Sequence, residues 1–339
     1  MTLNHAIALS LVDDLSRVGL TERLTSGDPE LLELAGLRLA EAECLRAQAA
    51  ARGIGALAWN DGLYPAALLT TTDCPPLLWY RGDVAVLNAP AVAVVGSRAA
   101  SAVALETALR IASDLAAHGV VVVSGLARGV DSAAHRGAMQ HGRTVAVLGS
   151  GLDHIYPHEH TGLADAIAAT GIVVSEYPPD TAPLPFRFPL RNRIISGLSR
   201  AVVVIEASDK SGSLITAGCA LEQGREVMVV PGNVLSGRNR GGHALLRDGA
   251  RLVETAEDIL MELHMAAPGS SQATSAESAV NDDPVLDRMD AGQPYDLDTL
   301  AAAAGLELPQ LLPRLSELEL RGLVRRVDGG RFIRSARTC

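Results

Sequence analysis

Ala91-Val92-Ala93-Val94-Val95-Gly96-Ser97-Arg98 is a run of five apolar residues closed by a glycine, a serine and an arginine. Five residues are too few for a stable helix, valine favours a strand, and a run without polar alternation belongs in a sheet buried on both faces. The turn gives way to an alanine-rich segment, 102–118, of helical length. The same order of strand, small-residue turn and helix recurs along the chain. Strands are predicted at 91–95, 120–123, 144–148, 172–175, 201–205 and 226–230, and helices at 102–118, 132–141, 159–170, 190–198 and 214–224. This alternation predicts an α/β fold with a doubly wound parallel sheet.

In such sheets ligands gather where the strands end. The turns there are Gly96-Ser97-Arg98, Ser124-Gly125-Leu126-Ala127-Arg128-Gly129, Gly149-Ser150-Gly151-Leu152-Asp153, Lys210-Ser211-Gly212-Ser213 and Pro231-Gly232-Asn233. Free N–H groups, small side chains and a neighbouring base make phosphate sites, although turn geometry and helix capping account for any one of these turns alone. Recurring at several strand ends, they predict a polyanion along the edge of the sheet.

A second stretch, 183–200, carries four arginines, two phenylalanines and no acid in a chain of formal net charge −10. Prolines hold its first half extended, and apolar spacing from Leu190 onward is helical. Phe186, Arg187, Phe188, Arg191, Asn192 and Arg193 are thus presented where loop becomes helix. Arginine forks grip phosphates and aromatic faces stack on bases. The alternative is a surface loop whose phenylalanines plug the core and whose arginines pair with acids elsewhere.

With 339 residues, 48% of them apolar, and a mean hydropathy of +0.19, the chain has room for one large core and one or two small satellites. No apolar run approaches the roughly 18 residues of a membrane span, and the first residues lack the basic region and cleavage site of a signal peptide. A cytoplasmic protein without a membrane partner is expected. Four cysteines, none in CxxC spacing, argue against a zinc site and against a disulfide framework. Residues 91–252 hold 15 Lys+Arg against 13 Asp+Glu, whereas 265–300 hold one arginine against seven acids. The acidity is peripheral, and patches set the field a ligand meets.

Residues 1–58 read as a small helical domain broken at Gly19, Gly27-Asp28-Pro29 and Gly36, and the main domain spans 59–265, entered by an extended connection over 57–82. Small and polar residues at 266–283 predict a flexible linker. Within 284–339, helices at 285–289, 297–304 and 309–320 precede a hairpin at 322–333 turning at Asp328-Gly329-Gly330. That is winged-helix order, with a generic helical cap as the alternative.

Ser124, Asp131 and His135 suggest a hydrolase triad, but no GxSxG elbow is present and Asp131 stands where a helix cap belongs. His154, His158 and His160 with Asp153 and Glu159 have a spacing a metal could use, yet Tyr156-Pro157 reads as an exposed turn. Walker A and complete GxGxxG sequences are absent, so no cofactor is expected.

Several motifs now converge. They are Val94-Val95-Gly96-Ser97-Arg98, the run from Val123 to His135, Gly151-Leu152-Asp153 with Tyr156-Pro157, Ser175-Glu176-Tyr177-Pro178, Phe188-Pro189 with Arg191-Asn192-Arg193-Ile194-Ile195, and Ser211-Gly212-Ser213-Leu214-Ile215-Thr216 with Pro231-Gly232. In this order, over about residues 60–260, they closely resemble the bacterial DNA-processing protein A (DprA, or Smf) family. The two ends resemble the family's helical (SAM-like) N-terminal domain and its C-terminal winged helix.

The resemblance implies a Rossmann-like domain in a non-enzymatic protein. Such a protein binds single-stranded DNA, forms a homodimer and helps load the recombinase RecA during natural transformation. It places DNA contacts on Gly96, Ser97, Arg98, Phe188, Arg191, Asn192, Arg193, Lys210, Ser211, Gly212 and Ser213, while Phe186 and Arg187 rest on the residue argument alone. The chain departs from the family pattern at Ser101-Ala102-Val103-Ala104, which lacks a Tyr-Gly pair, and at His158 and Pro185, where basic residues are frequent. Two rivals remain: a nucleotide-binding enzyme resembling the lysine-decarboxylase-like phosphoribohydrolases, of whose PGGxGTxxE motif Pro231-Gly232-Asn233 is a faint echo, and a regulator using the winged helix on duplex DNA.

Overall fold

The computed structural model describes residues 2–12, 20–265, 285–289, 294–306, 308–320, 323–327 and 331–334. They belong to two compact units, Met1–Pro268 and Gly269–Cys339. In the first, α1 (Leu3–Ser10), α2 (Leu20–Thr25), α3 (Pro29–Gly36) and α4 (Leu39–Ala51) lead into β1 (Gly55–Ala58), α5 (Ala66–Leu69) and β2 (Leu77–Gly82). The alternating region follows: β3 (Ala91–Val95), α6 (Ala102–Ala117), β4 (Val121–Ser124), α7 (Val130–His141), β5 (Thr144–Val147), α8 (Thr161–Thr170) and β6 (Ile172–Ser175). It continues with α9 (Arg187–Gly197), β7 (Ala201–Val204), α10 (Ser213–Glu222), β8 (Glu226–Val229), α11 (Arg240–Arg247), β9 (Arg251–Leu252) and α12 (Ala256–Glu262).

Nine strands form one sheet in the order β1-β2-β6-β5-β4-β3-β7-β8-β9. From β6 to β9 every pairing is parallel, and burial on both faces is the reason the valine runs are continuous. Val92 and Val94 enter the core beneath α6 and α7, while Ala93 and Val95 enter the core shared with α9 and α10. The six predicted strands are all present, their ends shifted by no more than a residue.

The connection expected over 57–82 instead contributes two strands. Leu77 and Leu78 are buried with Trp79, and this apolar run pairs antiparallel with β6, Trp79 opposite Ser175, before β1 closes the edge antiparallel to β2. The sheet is therefore mixed. Ile7, Leu9, Leu31 and Ala42 of the N-terminal helices lie in the same core as Leu57, Trp79 and Val174.

The second unit contains a single 3-10 turn at Leu286–Arg288 where a helix was expected, then β10 (Pro294–Tyr295), α13 (Leu297–Ala304), α14 (Leu308–Leu320), β11 (Val324–Val327) and β12 (Arg331–Arg334). The strands pair in the order β10-β12-β11 over a core that includes Leu300, Leu311, Leu315, Leu318 and Phe332. This is a winged helix. The predicted linker and the tip of the predicted hairpin lie outside the described residues.

Strand order reverses beside β3: the chain winds outward through β4, β5 and β6, then returns to the other flank of β3 with β7, β8 and β9. The crevice at the carboxyl ends of β3 and β7 is where such a sheet binds ligands. The turn after β3 is wedged there. Ser97 donates its N–H to Glu206 O at 2.7 Å and accepts from Val130 N at 3.2 Å, and Gly129, with φ +77°, has no room for a Cβ against the Ser97 carbonyl. Gly129→Ala should accordingly destabilise the unit by about 1–3 kcal/mol in urea unfolding, through left-handed strain alone and before any clash. Gly212→Ala, with nothing within 4 Å of the added methyl, should unfold like the parent.

Candidate nucleic-acid interface

Helix α9 begins three residues earlier than its apolar spacing predicts, because proline at position 189 is tolerated in a first turn. Phe188, Arg191, Asn192 and Ile195 thereby fall on one face at helical spacing and form a wall of a cleft of about 450 Å³. Gly96, Ser97 and Arg98 form the second wall, and Lys210, Ser211, Gly212 and Ser213 the third. Ten of the thirteen residues singled out in the sequence thus meet at the reversal point. The first and third walls are tied by Asn192 Nδ2, which donates to Gly212 O at 3.4 Å, and within the third Ser211 Oγ lies 2.7 Å from Ser213 Oγ.

Arg191 forms the floor. Only 3% of it is exposed, its guanidinium lies where a side chain on Gly125 would stand, and Nε and Nη1 find no hydrogen-bond partner among the described residues. Burial pulls its pKa down to about 10, opposed by the nearby Asp131 carboxylate, so it remains a cation at neutral pH. Asp131 is also buried, which pushes its carboxyl above the ordinary range despite Arg191 and the N–H groups of Gly125 and Ala127 at 3.1 and 3.3 Å. A buried cation with unsatisfied N–H groups is costly, and a phosphate entering the cleft would supply the missing acceptors.

Above this floor, Phe188 lies against Gly149, and the Arg98 guanidinium stands 5.6 Å from its ring centroid. Tyr156, 45% exposed, sits 5.3 Å from Phe188 at a tilt of 39°. The sequence reading missed Tyr156 as a site residue. Its signal was an aromatic just after a glycine-rich turn at the ligand-binding edge. Lys210 is exposed at the mouth of the cleft.

Three predicted contacts fall elsewhere. Arg193 points away from the cleft and is 7% exposed; its Nη1 and Nη2 donate to the two Glu176 carboxylate oxygens at 3.0 and 2.8 Å. Its Nε lies 3.0 Å from Asp73 Oδ2 and donates to Asp73 O at 3.1 Å. Burial weakens the Arg193 charge, but Glu176 and Asp73 more than offset this and hold its pKa above the ordinary value. Arg193 is therefore held by two acids, apart from the residues that line the cleft. Phe186 is 60% exposed outside the cleft, and Arg187 stacks 5.0 Å from the Tyr177 centroid while donating to Ala182 O at 2.6 Å.

The triad does not assemble. Ser124 is fully buried and donates to Val94 O at 2.7 Å, while His135 Nδ1 lies 2.7 Å from Thr144 Oγ1. Burial takes the His135 pKa to about 3, so the ring is neutral at physiological pH. Asp131 is not the cap of α7, a place held by Gly129. In the histidine turn, Glu159 pairs with Arg128 and Asp153 with Arg52, and His160 Nδ1 lies 2.8 Å from Leu126 O. Among the described residues, no group of His, Cys, Asp or Glu is placed to hold a metal ion.

Removing one partner from a buried, fully hydrogen-bonded ion pair costs about 3–5 kcal/mol. Arg193→Ala should show that loss in urea unfolding, whereas Arg98→Ala, on an open turn, should unfold close to the parent. Equal effects of the two changes would contradict this division.

Residues 55–264 match the family model for DNA recombination-mediator protein A, and residues 269–330 match that for the DprA winged helix domain. Protein Smf of Escherichia coli is 41% identical over 289 residues, which cover 83% of this chain and 77% of Smf. DNA processing protein DprA of Streptococcus pneumoniae is 47% identical over 203 residues, covering 60% and 72% of the two chains. The X-ray structure of DprA from Streptococcus pneumoniae superposes with a TM-score of 0.68 at 37% identity, covering 77% of this chain and 98% of that one. A structure of DNA processing protein A from Helicobacter pylori, described for its single-stranded DNA binding mode, gives a TM-score of 0.57 at 30% identity over 62% and 95% of the two chains. Ordered motifs, sheet topology and winged helix agree with these matches, and the chain belongs to the DNA recombination-mediator protein A (DprA/Smf) family.

Proposed function

We propose that this protein binds single-stranded DNA in the cleft between β3, α9 and the turn before α10, and that it does so without chemistry on the strand. The observation that carries the reading is Arg191: a desolvated guanidinium with unpartnered N–H groups among the lining of a cleft that also carries Arg98 and Lys210. Three cations along one cleft suit a phosphate backbone, while Phe188 in the cleft and Tyr156 beside it in an adjoining smaller pocket offer ring faces on which only unpaired bases can stack. The nucleotide-cleaving alternative has less support, since Pro231-Gly232-Asn233 is only a faint echo of its PGGxGTxxE motif; a hydrolase triad has none, since the Ser124 hydroxyl is sealed in the core on a backbone carbonyl.

The functional form in this reading is a cytoplasmic homodimer that helps load RecA onto incoming DNA in natural transformation. Support for self-association comes from apolar side chains exposed at the β9 end of the sheet, Leu252 at 56% on β9 and Met261 at 74% on α12. Two copies would offer two clefts to one strand and raise its effective concentration at the second, offsetting a modest number of cations. The recombinase step rests on the family relationship.

Titration of labelled oligonucleotides at several salt concentrations tests the binding claim. Single strands should bind more tightly than a duplex of equal length. Lys210→Ala and Arg98→Ala should each weaken binding and reduce the log–log salt slope by about 0.7, the value for one phosphate contact on a single strand. Preference for duplex would move the activity to the winged helix, and variants that bind like the parent would remove the cleft from the interface.

A further inference from the structure

A second cavity, of about 290 Å³, opens on the α6 face of the same sheet edge. Val103 and Ala104 of α6, Ile205 beyond β7, and Val230 and Pro231 beyond β8 give it mainly apolar walls. One acid is among its lining residues. Glu206 is 7% exposed and accepts from Ser101 N at 3.1 Å and Ser101 Oγ at 2.7 Å, one bond to each oxygen. Each carboxylate oxygen has capacity for a further donor, and two side by side match a pair of adjacent N–H groups.

The two cavities are neighbours along the chain: Ala99 lines the first and Ser101 the second, two residues and at most about 7 Å apart. Arg238 stands exposed at the rim of the second cavity, its Nη1 donating to Ala99 O at 3.0 Å, where its remaining donors can meet a phosphate leaving the first. The volume is at the lower limit of small-molecule sites, roughly 300–1,000 Å³, and suits a planar heterocycle. Pockets that read an unstacked base have this make-up of apolar walls and a polar group toward its pairing edge.

We propose that this cavity is a subsite for one nucleobase of the strand held in the neighbouring cleft, with the base's donor edge toward Glu206. Guanine is the best fit, because N1–H and N2–H lie side by side on its pairing edge. Thymine is the poorest, since its lone N3–H sits between two carbonyls that repel a carboxylate. The inference rests on the proposed binding function, adding a base preference at one position of a site that is otherwise indifferent to sequence.

The test uses the full chain and oligothymidylates of one length carrying a single guanine at successive positions. A good bidentate contact discriminates by about 1–3 kcal/mol, so one register of guanine should bind at least about fivefold more tightly than plain oligothymidylate. Val103→Trp, which fills the cavity from an exposed position, and Glu206→Gln, which replaces one acceptor with a donor, should each abolish that preference while leaving plain oligothymidylate affinity at the parent value. Register-independent binding by the parent overturns the subsite alone, as does a guanine preference that survives both changes. Failure of the parent to bind any oligonucleotide overturns the cleft reading and this one with it.

Discussion

A guanidinium withdrawn from water must find hydrogen-bond acceptors, and helix α9 meets that demand in opposite ways at positions two residues apart. Such a spacing turns side chains to opposite sides of a helix. Arg193 faces Glu176 and Asp73, fixing α9 to the end of β6 and to the segment before β2. Arg191 faces Gly125 and Asp131 with two N–H-bearing nitrogens unpartnered among the described residues. The first completes the fold, and the second keeps an electrostatic deficit at the point where strand order reverses. Burial lowers the Arg191 pKa and raises that of Asp131, so the pair is held together by attraction that only partly offsets desolvation.

Much of this could be read from the chain. Valine runs without polar alternation have one stable placement, a sheet covered on both faces, and β3 to β8 follow from it. Turns rich in Gly and Ser at their ends announced the edge where a polyanion could lie, and three of them line one cleft. The antiparallel addition of β1 and β2 was hidden because its cause is tertiary: Trp79 needs the flank of β6, which lies 96 residues along in the register with Ser175. Arg193 was misassigned for a related reason. Its acids, Asp73 and Glu176, are remote in sequence, and nothing in Arg191-Asn192-Arg193 tells which arginine turns inward to acids and which to a cavity. Helix phase turns the two to opposite sides, and the tertiary neighbours of each side decide which meets acids.

An acidic chain that grips a polyanion must separate its charges. Several acids on the surface of the first unit pair with nearby cations, as in Glu159 with Arg128, Asp153 with Arg52 and Asp83 with Arg143. The cleft keeps Arg98, Arg191 and Lys210 against the single buried Asp131, whose carboxyl is pushed toward neutrality by burial. The lining there carries an excess of cations in spite of a net charge of −10. Small residues matter equally. Gly96, Gly125, Gly129 and Gly149 occupy positions where any side chain would collide with Val130, Arg191, Ser97 or Phe188, so the cleft owes its shape to atoms that are missing.

The central claim is that Arg191 is a cation waiting for a phosphate. It is tested most directly by measuring single-stranded oligonucleotide affinity for Arg191→Met, whose unbranched side chain keeps much of the volume without the charge. The account predicts an affinity at least about tenfold lower, the magnitude of one lost charge-assisted contact, in a protein whose unfolding midpoint stays near that of the parent. Undiminished affinity, or a collapse of stability like that expected when a paired structural arginine is removed, would contradict it.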